Sequence, residues 1–542
     1  MEHASLPLSP LNVLLGPNSS GKSSLIQSLL LLAQSTEDEI ILNGPLVRLG
    51  DPADVIRTGC DSVAFGFVVK GQVRGETTGY EILFEIVLAD QDGNLNVSEF
   101  VAIDQQTSSI LVSATSDRVP ASVADSLRES RSHQAVLRVR EIDGRAAPSY
   151  TFLVFNGFIP VALGFRRSRK DVFNELKRTT RRRTDVLAAE TGFDTYIQLL
   201  EWLSQDPDNA PEGYRTVISS GRRTGELLDF FLELSRTELR QLLEAFVEAN
   251  HPEEEWVRVP ASGFAGADGF RGAVRQFPPL DPRRDGALRI VSFGAQALRI
   301  FQGNIRYLGP LREEPQVVSP TGARYRALPS GAKGEYTADL FARSKDSEVR
   351  YFDWNGKQRR ESLQNALTRW VAHLGLGEDV SVEDQGKLGR GLRIRVNGAD
   401  RDLTTIGVGA SQLLPVLAVV LTASPGNIML LEQPELHLHP SVQSRLADFF
   451  LYARPTVRII VESHSEYMVT RLRRRVVDDP KLIERIAVLF AEQHSGVTEI
   501  RRLRLDRLGD FSDWPEGFFD TQDYESTELV KAVRRAMELG RP

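Results

Sequence analysis

A glycine-rich loop near the start of the chain carries the residue types that bind phosphate. Residues 16–23 follow the pattern G-x-x-x-x-G-K-S. In this pattern backbone N–H groups surround the phosphates, the lysine reaches the β- and γ-phosphates, and the serine hydroxyl coordinates Mg²⁺. The pattern therefore predicts a site for ATP and Mg²⁺. The predicted ATP-binding residues are Gly16, Pro17, Asn18, Ser19, Ser20, Gly21, Lys22, Ser23 and Ser24.

An acidic residue at the end of an apolar segment offers a second part of such a site. Residues 427–435 read NIMLLEQPE, which predicts a buried strand with Glu432 at its carboxyl end. A carboxylate in that position can hold Mg²⁺, directly or through water. Apolar strands that end in glutamate are also common where the glutamate has no functional role. From this segment alone, a Mg²⁺ ligand and a purely structural strand end are equally supported.

The elements around the glycine loop have the order that phosphate binding requires. Leu11–Leu15 predicts a short buried strand and Ser24–Gln34 an apolar helix, so the loop connects a strand to a helix. Residues from Ser62 to about Phe155 form β-rich segments separated by turns, which predicts an antiparallel sheet layer. Helical spacing extends from Arg166 to about Asn250, whereas Pro252–Leu288 is rich in Gly and Pro and predicts a loop or linker.

Three further segments resemble motifs of ABC-type ATPases, in the branch that contains the SMC-like DNA-repair heads and the OLD-like ATPases of the AAA type. Leu430–Pro440, LLEQPELHLHP, looks like the Walker B motif and D-loop of that branch. Gly407–Gln412, GVGASQ, resembles the signature motif, and His464, after a second buried strand, matches the switch histidine. The resemblance covers roughly residues 11–60 and 290–520. It implies an α/β fold: a P-loop NTPase head of the ABC type, with a mixed sheet, an antiparallel β layer and a helical insertion.

This resemblance gives the expected domain organisation. The chain has 542 residues, which is too long for a single core. The glycine loop and the α/β stretch Ile428–Glu462 would have to meet in one sheet, with the middle of the chain inserted between them. We therefore predict two parts of an ATPase head at residues 1–165 and 291–542, separated by a mainly helical insertion and linker at 166–290.

The resemblance also implies a role for each motif residue. Ser23 and Glu432 would hold Mg²⁺, and two heads would close face to face around two ATP molecules. The signature residues of one subunit would bind the γ-phosphate held by the other; they are Gly407, Gly409, Ser411 and Gln412. The implied catalytic residues are Glu432, Gln433, Glu435 and His464. Hydrolysis would reopen the heads, so a monomer is expected to be nearly inactive.

One position departs from the ABC pattern and affects the expected activity. Many ABC proteins have Asp-Glu where this chain has Glu432-Gln433, and an amide cannot accept a proton from water. Either Glu435 or another group positions the attacking water, or turnover is slow and ATP acts mainly as a clamp. We expect ATP hydrolysis; the alternative is a non-hydrolysing, ATP-gated scaffold or a clamp that binds nucleic acid.

The expected partners also follow from the resemblance. Some OLD-like proteins continue into a metal-dependent Toprim nuclease, but no Asp-x-Asp follows His464 here. We therefore expect a homodimer or higher homo-oligomer that regulates a separate effector, a nuclease or a toxin, in bacterial DNA repair or antiphage defence. Related heads usually begin with another strand or two that pack near the adenine, whereas ten residues precede Leu11, so the sequence leaves open how the base is recognised.

Two other segments are similar to OLD-like ATPases. Tyr307–Arg312, YLGPLR, looks like a recurrent stretch of that group. Its arginine either contacts phosphate or an interface, or is a surface residue after a turn. Trp514–Phe519, WPEGFF, looks like the tail of one subgroup whose C-terminal domain has no assigned function.

A basic segment stands out in a chain whose formal net charge is −7. Between residues 166 and 183, nine residues are Lys or Arg and two are acidic, a local net charge of +7. Binding to the phosphate backbone of DNA or RNA, and a solvated helix face paired with acidic neighbours or a partner protein, remain open. The nine residues are Arg166, Arg167, Arg169, Lys170, Lys177, Arg178, Arg181, Arg182 and Arg183.

Composition limits the remaining classes. The negative net charge argues against a protein that coats nucleic acid over its whole surface. Cys60 is the only cysteine, so one chain can form neither an internal disulfide nor a cysteine-based metal site, which fits the cytoplasm. The longest apolar run, Leu413 to Leu421, is far shorter than a membrane span, and we expect no membrane insertion.

Overall fold

The computed structural model describes most of the chain. The described residues are 8–36, 39–72, 79–117, 119–128, 134–148, 150–180, 199, 201–203, 205, 234–261, 282–319, 327–494, 497–515, 518–519 and 521–538. Contacts divide the chain into two compact units. The first comprises Met1–Gln34, Gly44–Arg48 and Phe301–Pro542, and the second Ser35–Asn43 and Leu49–Ile300.

The described helices and strands are numbered here in chain order. The strands are β1 (Leu11–Leu15), β2 (Ser62–Gln72), β3 (Gly79–Gln91), β4 (Asn94–Asp104), β5 (Ser109–Thr115), β6 (Gln134–Ile142), β7 (Arg145–Ala146), β8 (Thr151–Asn156), β9 (Ile159–Ser168), β10 (Glu254–Pro260), β11 (Ile305–Leu308), β12 (Glu348–Phe352), β13 (Gln358–Ser362), β14 (Asp379–Asp384), β15 (Arg390–Val396), β16 (Ala399–Asp402), β17 (Ile428–Glu432), β18 (Arg458–Glu462), β19 (Ile486–His494) and β20 (Val497–Leu503). The helices are α1 (Lys22–Gln34), α2 (Pro52–Val55), α3 (Ala121–Leu127), α4 (Arg169–Thr180), α5 (Arg236–Asn250), α6 (Pro282–Asn304), α7 (Thr337–Ser344), α8 (Leu363–Leu374), α9 (Val408–Thr422), α10 (Pro440–Tyr452), α11 (Glu466–Asp478) and α12 (Thr521–Glu538).

A six-stranded mixed sheet forms the centre of the first unit. Its strand order is β11-β17-β18-β1-β19-β20, with β20 antiparallel to β19 and the other neighbours parallel. The strand before the glycine loop therefore lies between two strands from the last hundred residues, which confirms that the two distant stretches share one sheet. Because the carboxyl ends of parallel strands meet at one edge, the glycine loop, Glu432 and the end of β18 meet there.

The side chains of β1 explain why this strand lies inside the sheet. All five residues are buried. Leu11, Val13 and Leu15 belong to one apolar cluster, and Leu14 belongs to a second cluster that includes residues of α1. A strand covered on both faces needs an apolar sequence of this kind. The buried amide of Asn12 is satisfied because it donates to the backbone carbonyls of Ser9 and Ile459.

The second unit contains the predicted antiparallel layer. The strand order is β10-β9-β8-β6-β5-β4-β3-β2, with β7 paired to β6. Two predictions about its boundaries are wrong. Arg166–Ser168 ends a strand rather than beginning a helix, and β10 and the start of α6 lie inside the segment 252–288 predicted as a loop. The two strand segments have one cause: β10 pairs with β9, and this contact between distant residues overrides the local sequence preference.

The helical prediction for residues 166–250 is confirmed where the structure describes helices, at α4 and α5. Most of the segment between them lies outside the described residues. The predicted division into residues 1–165, 166–290 and 291–542 stays a prediction. The contacts place the antiparallel layer in one unit with the residues that follow it, up to Ile300. Within the described part of the chain, no helix has the length and apolar character needed to cross a bilayer.

Candidate phosphate and metal site

The glycine loop connects β1 to α1. At two of its positions the backbone conformation and the close neighbours require glycine. Gly16 has φ of +143°, and a Cβ there would lie 2.2 Å from the backbone oxygen of Ala491. Gly21 has φ of +93°, and a Cβ there would lie 2.6 Å from the Thr498 side chain. The loop thus packs closely against β19 and β20, which explains both glycines of the motif.

Lys22 is the first residue of α1, and its side chain turns back into the loop. The ammonium group donates to the carbonyl oxygens of Gly16, at 2.9 Å, and Pro17, at 2.6 Å. Burial lowers the pKa of Lys22, an effect that the nearby Glu462 carboxylate opposes. A charged amine inside a loop of backbone N–H groups at a helix N-terminus is suited to binding phosphate. Ser23 and Ser24 follow it and are exposed.

The carboxylate that lies nearest to Ser23 is Glu462, which the sequence analysis did not single out. Glu462 ends β18, is 3% exposed, and accepts a hydrogen bond from the Ser23 hydroxyl, Oγ to Oε2 3.4 Å. Burial raises the pKa of Glu462, Glu432 raises it further, and Lys22 lowers it. A signal was present in the sequence, because two apolar strands of the same sheet both end in glutamate.

Glu432 lies beside Glu462 but has a different partner. The two residues are register partners on β17 and β18. The phenol of Tyr307 donates to Glu432, with 2.7 Å between the oxygen atoms. Burial raises the pKa of Glu432, and the hydrogen bond from Tyr307 lowers it. Burial and the Glu432 carboxylate raise the pKa of Tyr307, so the phenol stays protonated and remains a donor.

Arg312 is buried next to these carboxylates, which excludes a surface arginine. It is 8% exposed, and Nη1 donates to the backbone oxygens of Glu432 and Pro310, each at 2.8 Å. Burial lowers the pKa of Arg312 to about 10, while Glu435 and Glu432 act in the opposite direction. Nε and Nη2 have no hydrogen-bond partner among the described residues.

The D-loop and the switch segment are tied together at the same edge. The backbone N–H of His464 donates to Glu435 Oε1 at 2.6 Å, and the backbone N–H of Gln433 donates to the Glu462 carbonyl at 2.8 Å. Burial raises the pKa of Glu435. Burial lowers the pKa of His464, and Lys22 lowers it further. The predicted catalytic residues are therefore neighbours of the glycine loop and of one another.

The oxygen atoms around Ser23 fit the ligands that Mg²⁺ prefers. Mg²⁺ binds one or two protein oxygens and takes its other ligands from water and phosphate. Ser23 offers a hydroxyl and Glu462 a carboxylate within hydrogen-bond distance of each other, and Glu432 lies on the next strand. The buried carboxylates of Glu435 and Glu462 and the partly buried one of Glu432 outnumber the two buried cations Lys22 and Arg312, so an added cation would reduce the repulsion between the carboxylates.

The signature segment begins α9, as predicted. Gly407 precedes the first helical residue, and Ser411 donates its hydroxyl to the Val408 carbonyl at 2.7 Å. A Cβ on Gly409 would lie 2.9 Å from the carbonyl oxygen of His437, so glycine is needed where the helix meets the D-loop. Gln412 is buried too. A cleft of about 460 Å³ opens beside the helix N-terminus; it is lined by Val408, Gln412, His437 and Arg312, among others.

The basic segment is partly neutralised by β10. Arg166 forms an ion pair with Glu254, and Arg167 forms one with Glu255. Arg169 donates to the His251 carbonyl at 2.6 Å. Lys170 is exposed, and Lys177 lies over the Phe173 ring. The side chain of Arg178 and all of Arg181, Arg182 and Arg183 lie outside the described residues.

The arginines of α11 also have acidic partners. Arg471 and Arg475 both bind the fully buried Asp448, each with an ion pair of 2.7 Å. These two arginines, together with His373, hold the pKa of Asp448 well below its usual range, although burial opposes them. Arg473 pairs with Asp510. This cluster joins α10 to α11 and the C-terminal segment.

Comparison with protein families gives two matches. Residues 11–129 and 312–470, about half of the chain, match the family described as "AAA domain, putative AbiEii toxin, Type IV TA system". Residues 483–529 match a family described as a protein of unknown function, DUF3696. No curated protein matches the chain.

Several solved structures of Smc head domains are similar to the chain at low identity. One is the Pyrococcus furiosus head with an extended coiled coil, bound to the C-terminal domain of ScpA: 10% identity over 98% of this chain and 94% of that chain, TM-score 0.31. Another is an Smc head bound to the C-terminal winged-helix domain of ScpA: 11% identity over 93% of each chain, TM-score 0.30. A third comes from Pyrococcus yayanosii: 11% identity over 92% of this chain and 93% of that chain, TM-score 0.30.

Proposed function

The chain belongs to the AAA domain family that matches half of its length, and from this premise we propose that it is an ATPase whose heads close on ATP and Mg²⁺. One observation carries the proposal. The Lys22 ammonium, the Ser23 hydroxyl and the Glu462 carboxylate lie together at the sheet edge where the glycine loop begins α1. Phosphate and a divalent cation are the ligands that this combination of groups binds.

Hydrolysis is the proposed reaction. Gln433 cannot act as a base, but the buried carboxylate of Glu435 accepts a hydrogen bond from the backbone N–H of His464, which itself interacts with Lys22. A buried carboxylate near the γ-phosphate can orient water and accept its proton. His464 would contact the γ-phosphate from the loop that follows β18. Product release would then separate the heads.

Closure of two heads is the second part of the proposal. Gly407–Gln412 opens α9 beside the cleft at the helix N-terminus, where backbone N–H groups point outward. Such an end attracts an anionic ligand. A second copy of the chain that presents its bound ATP to this segment would complete each site. The Ser411 hydroxyl would then donate to the γ-phosphate instead of to the Val408 carbonyl.

The biological role is proposed from the family. The family's description names a toxin of a type IV TA system, which supports the proposal of a defence role in the cytoplasm. In this account the dimer regulates a separate nuclease or toxin in antiphage defence or DNA repair. The nucleic-acid clamp is the weaker alternative, because two of the basic residues that it would use, Arg166 and Arg167, are paired with Glu254 and Glu255.

Two measurements test the proposal against the alternative of a non-hydrolysing scaffold, which the amide of Gln433 raises. Steady-state phosphate release reports hydrolysis, and light scattering reports dimerisation. The ATPase is expected to dimerise with ATP and Mg²⁺ and to release phosphate continuously. ATP-dependent dimers that release no phosphate would favour the scaffold. Ser411→Arg, which places a bulky cation at the proposed contact, is expected to abolish both signals while ATP binding to the monomer persists.

A further inference from the structure

We propose that Glu462, together with Ser23, supplies the protein's ligands for the Mg²⁺ ion of the bound nucleotide. The inference rests on the proposed function and names a metal ligand that the Walker B position does not include. Glu462 comes from the switch strand β18, whereas Glu432 ends the neighbouring strand β17.

The position of the Ser23 hydroxyl is the first argument. The serine after the P-loop lysine is the expected metal ligand, and the carboxylate within hydrogen-bond distance of its Oγ is Glu462 Oε2, at 3.4 Å. A hydroxyl and a carboxylate oxygen in contact can turn to share one small cation without movement of the strand or the helix. Glu462 thus already lies where a second protein ligand is needed.

The partner of Glu432 is the second argument. Its Oε1 accepts the phenol hydrogen of the buried Tyr307 at 2.7 Å. The same residue's backbone oxygen accepts from Arg312 at 2.8 Å. These contacts hold Glu432 towards β11, the strand on the other side of β17 from β18. Glu432 is therefore suited to position its neighbours rather than to contact the cation.

The strand order is the third argument. β18 lies between β17 and β1, and Glu462 is the register partner of both Glu432 and Leu14. β18 is thus the strand that adjoins the one leading into the glycine loop, and β17 is one strand further away. A carboxylate at the end of β18 reaches Ser23 from the strand adjacent to β1. A carboxylate at the end of β17 would have to extend across the end of β18 to reach Ser23.

Mn²⁺ binding tests this assignment without relying on turnover. Mn²⁺ is titrated into protein saturated with ADP, and free Mn²⁺ is followed by electron paramagnetic resonance. Glu462→Gln is expected to weaken Mn²⁺ binding by on the order of tenfold or more, because an amide is a poorer ligand and carries no charge. Glu432→Gln is expected to weaken Mn²⁺ binding clearly less than Glu462→Gln does, because it removes a neighbouring charge but no ligand of the cation.

Two controls separate folding and nucleotide binding from metal binding. Glu499→Gln changes an exposed glutamate of β20 and should match the wild type. Binding of a fluorescent ATP analogue in EDTA should be no weaker for Glu462→Gln, because removal of a negative charge near Lys22 favours phosphate. This second result also shows that the variant is folded.

The outcomes distinguish the inference from the proposed function. An unchanged Mn²⁺ affinity in Glu462→Gln, or an equal loss in Glu432→Gln, overturns the assignment of Glu462. If the wild type binds no nucleotide with or without Mn²⁺, the proposed function itself fails. A selective loss in Glu462→Gln, with nucleotide still bound in EDTA, supports both.

Discussion

Glu432 and Glu462 are register partners at the carboxyl ends of two adjacent parallel strands, yet they face different neighbours. Tyr307 holds the first, and the Ser23 hydroxyl contacts the second. Through these contacts, the pair connects strand β11 to the residue that follows the lysine of the glycine loop.

Removal of the Tyr307 hydroxyl should destabilise the protein and reduce its activity. Tyr307→Phe leaves the Glu432 carboxylate without its donor, so the free energy of unfolding should fall by about 1–3 kcal/mol. Hydrolysis should fall as well, because Glu432 then moves freely beside Glu462. Urea denaturation and phosphate release measure the two effects.

Tyr351→Phe is the matched control for that change. Tyr351 is a buried tyrosine that donates to the carboxylate of Glu361 on β13, in the two-stranded sheet of the same unit. It should lose comparable stability and keep wild-type hydrolysis per folded molecule. If both variants hydrolyse ATP equally well, Tyr307 has no role at the site.

A methyl group on the second motif glycine should close the phosphate site. In Gly21→Ala the Cβ would approach the Thr498 side chain to 2.6 Å with φ of +93°, so the loop must shift and ATP binding should be lost. Gly93→Ala, at φ of +82° in a turn with open space, should cost only about 1–2 kcal/mol of stability and leave binding intact. Equal ATP affinity in the two variants would contradict this account of the loop.

The raised pKa of Glu462 makes stability depend on pH. Burial and Glu432 raise this pKa above the ordinary value of 4.5, so the folded protein holds a proton that the unfolded chain has released. The free energy of unfolding should therefore fall as pH rises from 4.5 through the folded pKa. Glu462→Gln should be more stable than the wild type at pH 8, and this advantage should shrink at pH 5. Urea titrations without nucleotide measure it; a variant less stable than the wild type at pH 8 would refute the charge argument.

Asp448 should show the opposite dependence. Arg471 and Arg475, with His373, depress its pKa, so its contribution to stability is complete above the unfolded value of 3.8 and is lost as pH falls towards the folded pKa. Asp448→Asn should cost about 3–5 kcal/mol at pH 7, because two arginines lose a buried partner. Asp510→Asn, which removes the exposed partner of Arg473, should cost little. Similar losses in both variants would contradict a special role for the buried cluster.

Local patterns were sufficient to predict much of the site, and contacts between distant residues account for what was missed. The glycine loop, the start of α9 and the ends of β17 and β18 depend on short sequences whose backbone needs are local. Glu462 was missed because its relevance comes from Ser23, which lies 439 positions away. Its own segment, IIVES, reads as an ordinary buried strand.

The basic segment illustrates the same difficulty with charge. Local counting gave a net charge of +7, but Arg167 is paired with Glu255, 88 positions later, on a strand that was predicted as a loop. The pairing of β9 with β10 both creates this strand and brings Glu255 next to Arg167. Arg312 is an example of a charged residue whose burial could not be predicted locally. It follows a turn, yet it is buried because β11 pairs with β17.

Calorimetric titration of ATP with Mg²⁺ tests the central claim most directly. The wild type should bind one ATP per chain, and Lys22→Ala should lose at least tenfold in affinity, because the buried ammonium is the charge placed in the loop. Lys387→Ala, at an exposed hairpin, should bind like the wild type. Equal ATP affinity in Lys22→Ala and the wild type would contradict the assignment of this loop as the nucleotide site.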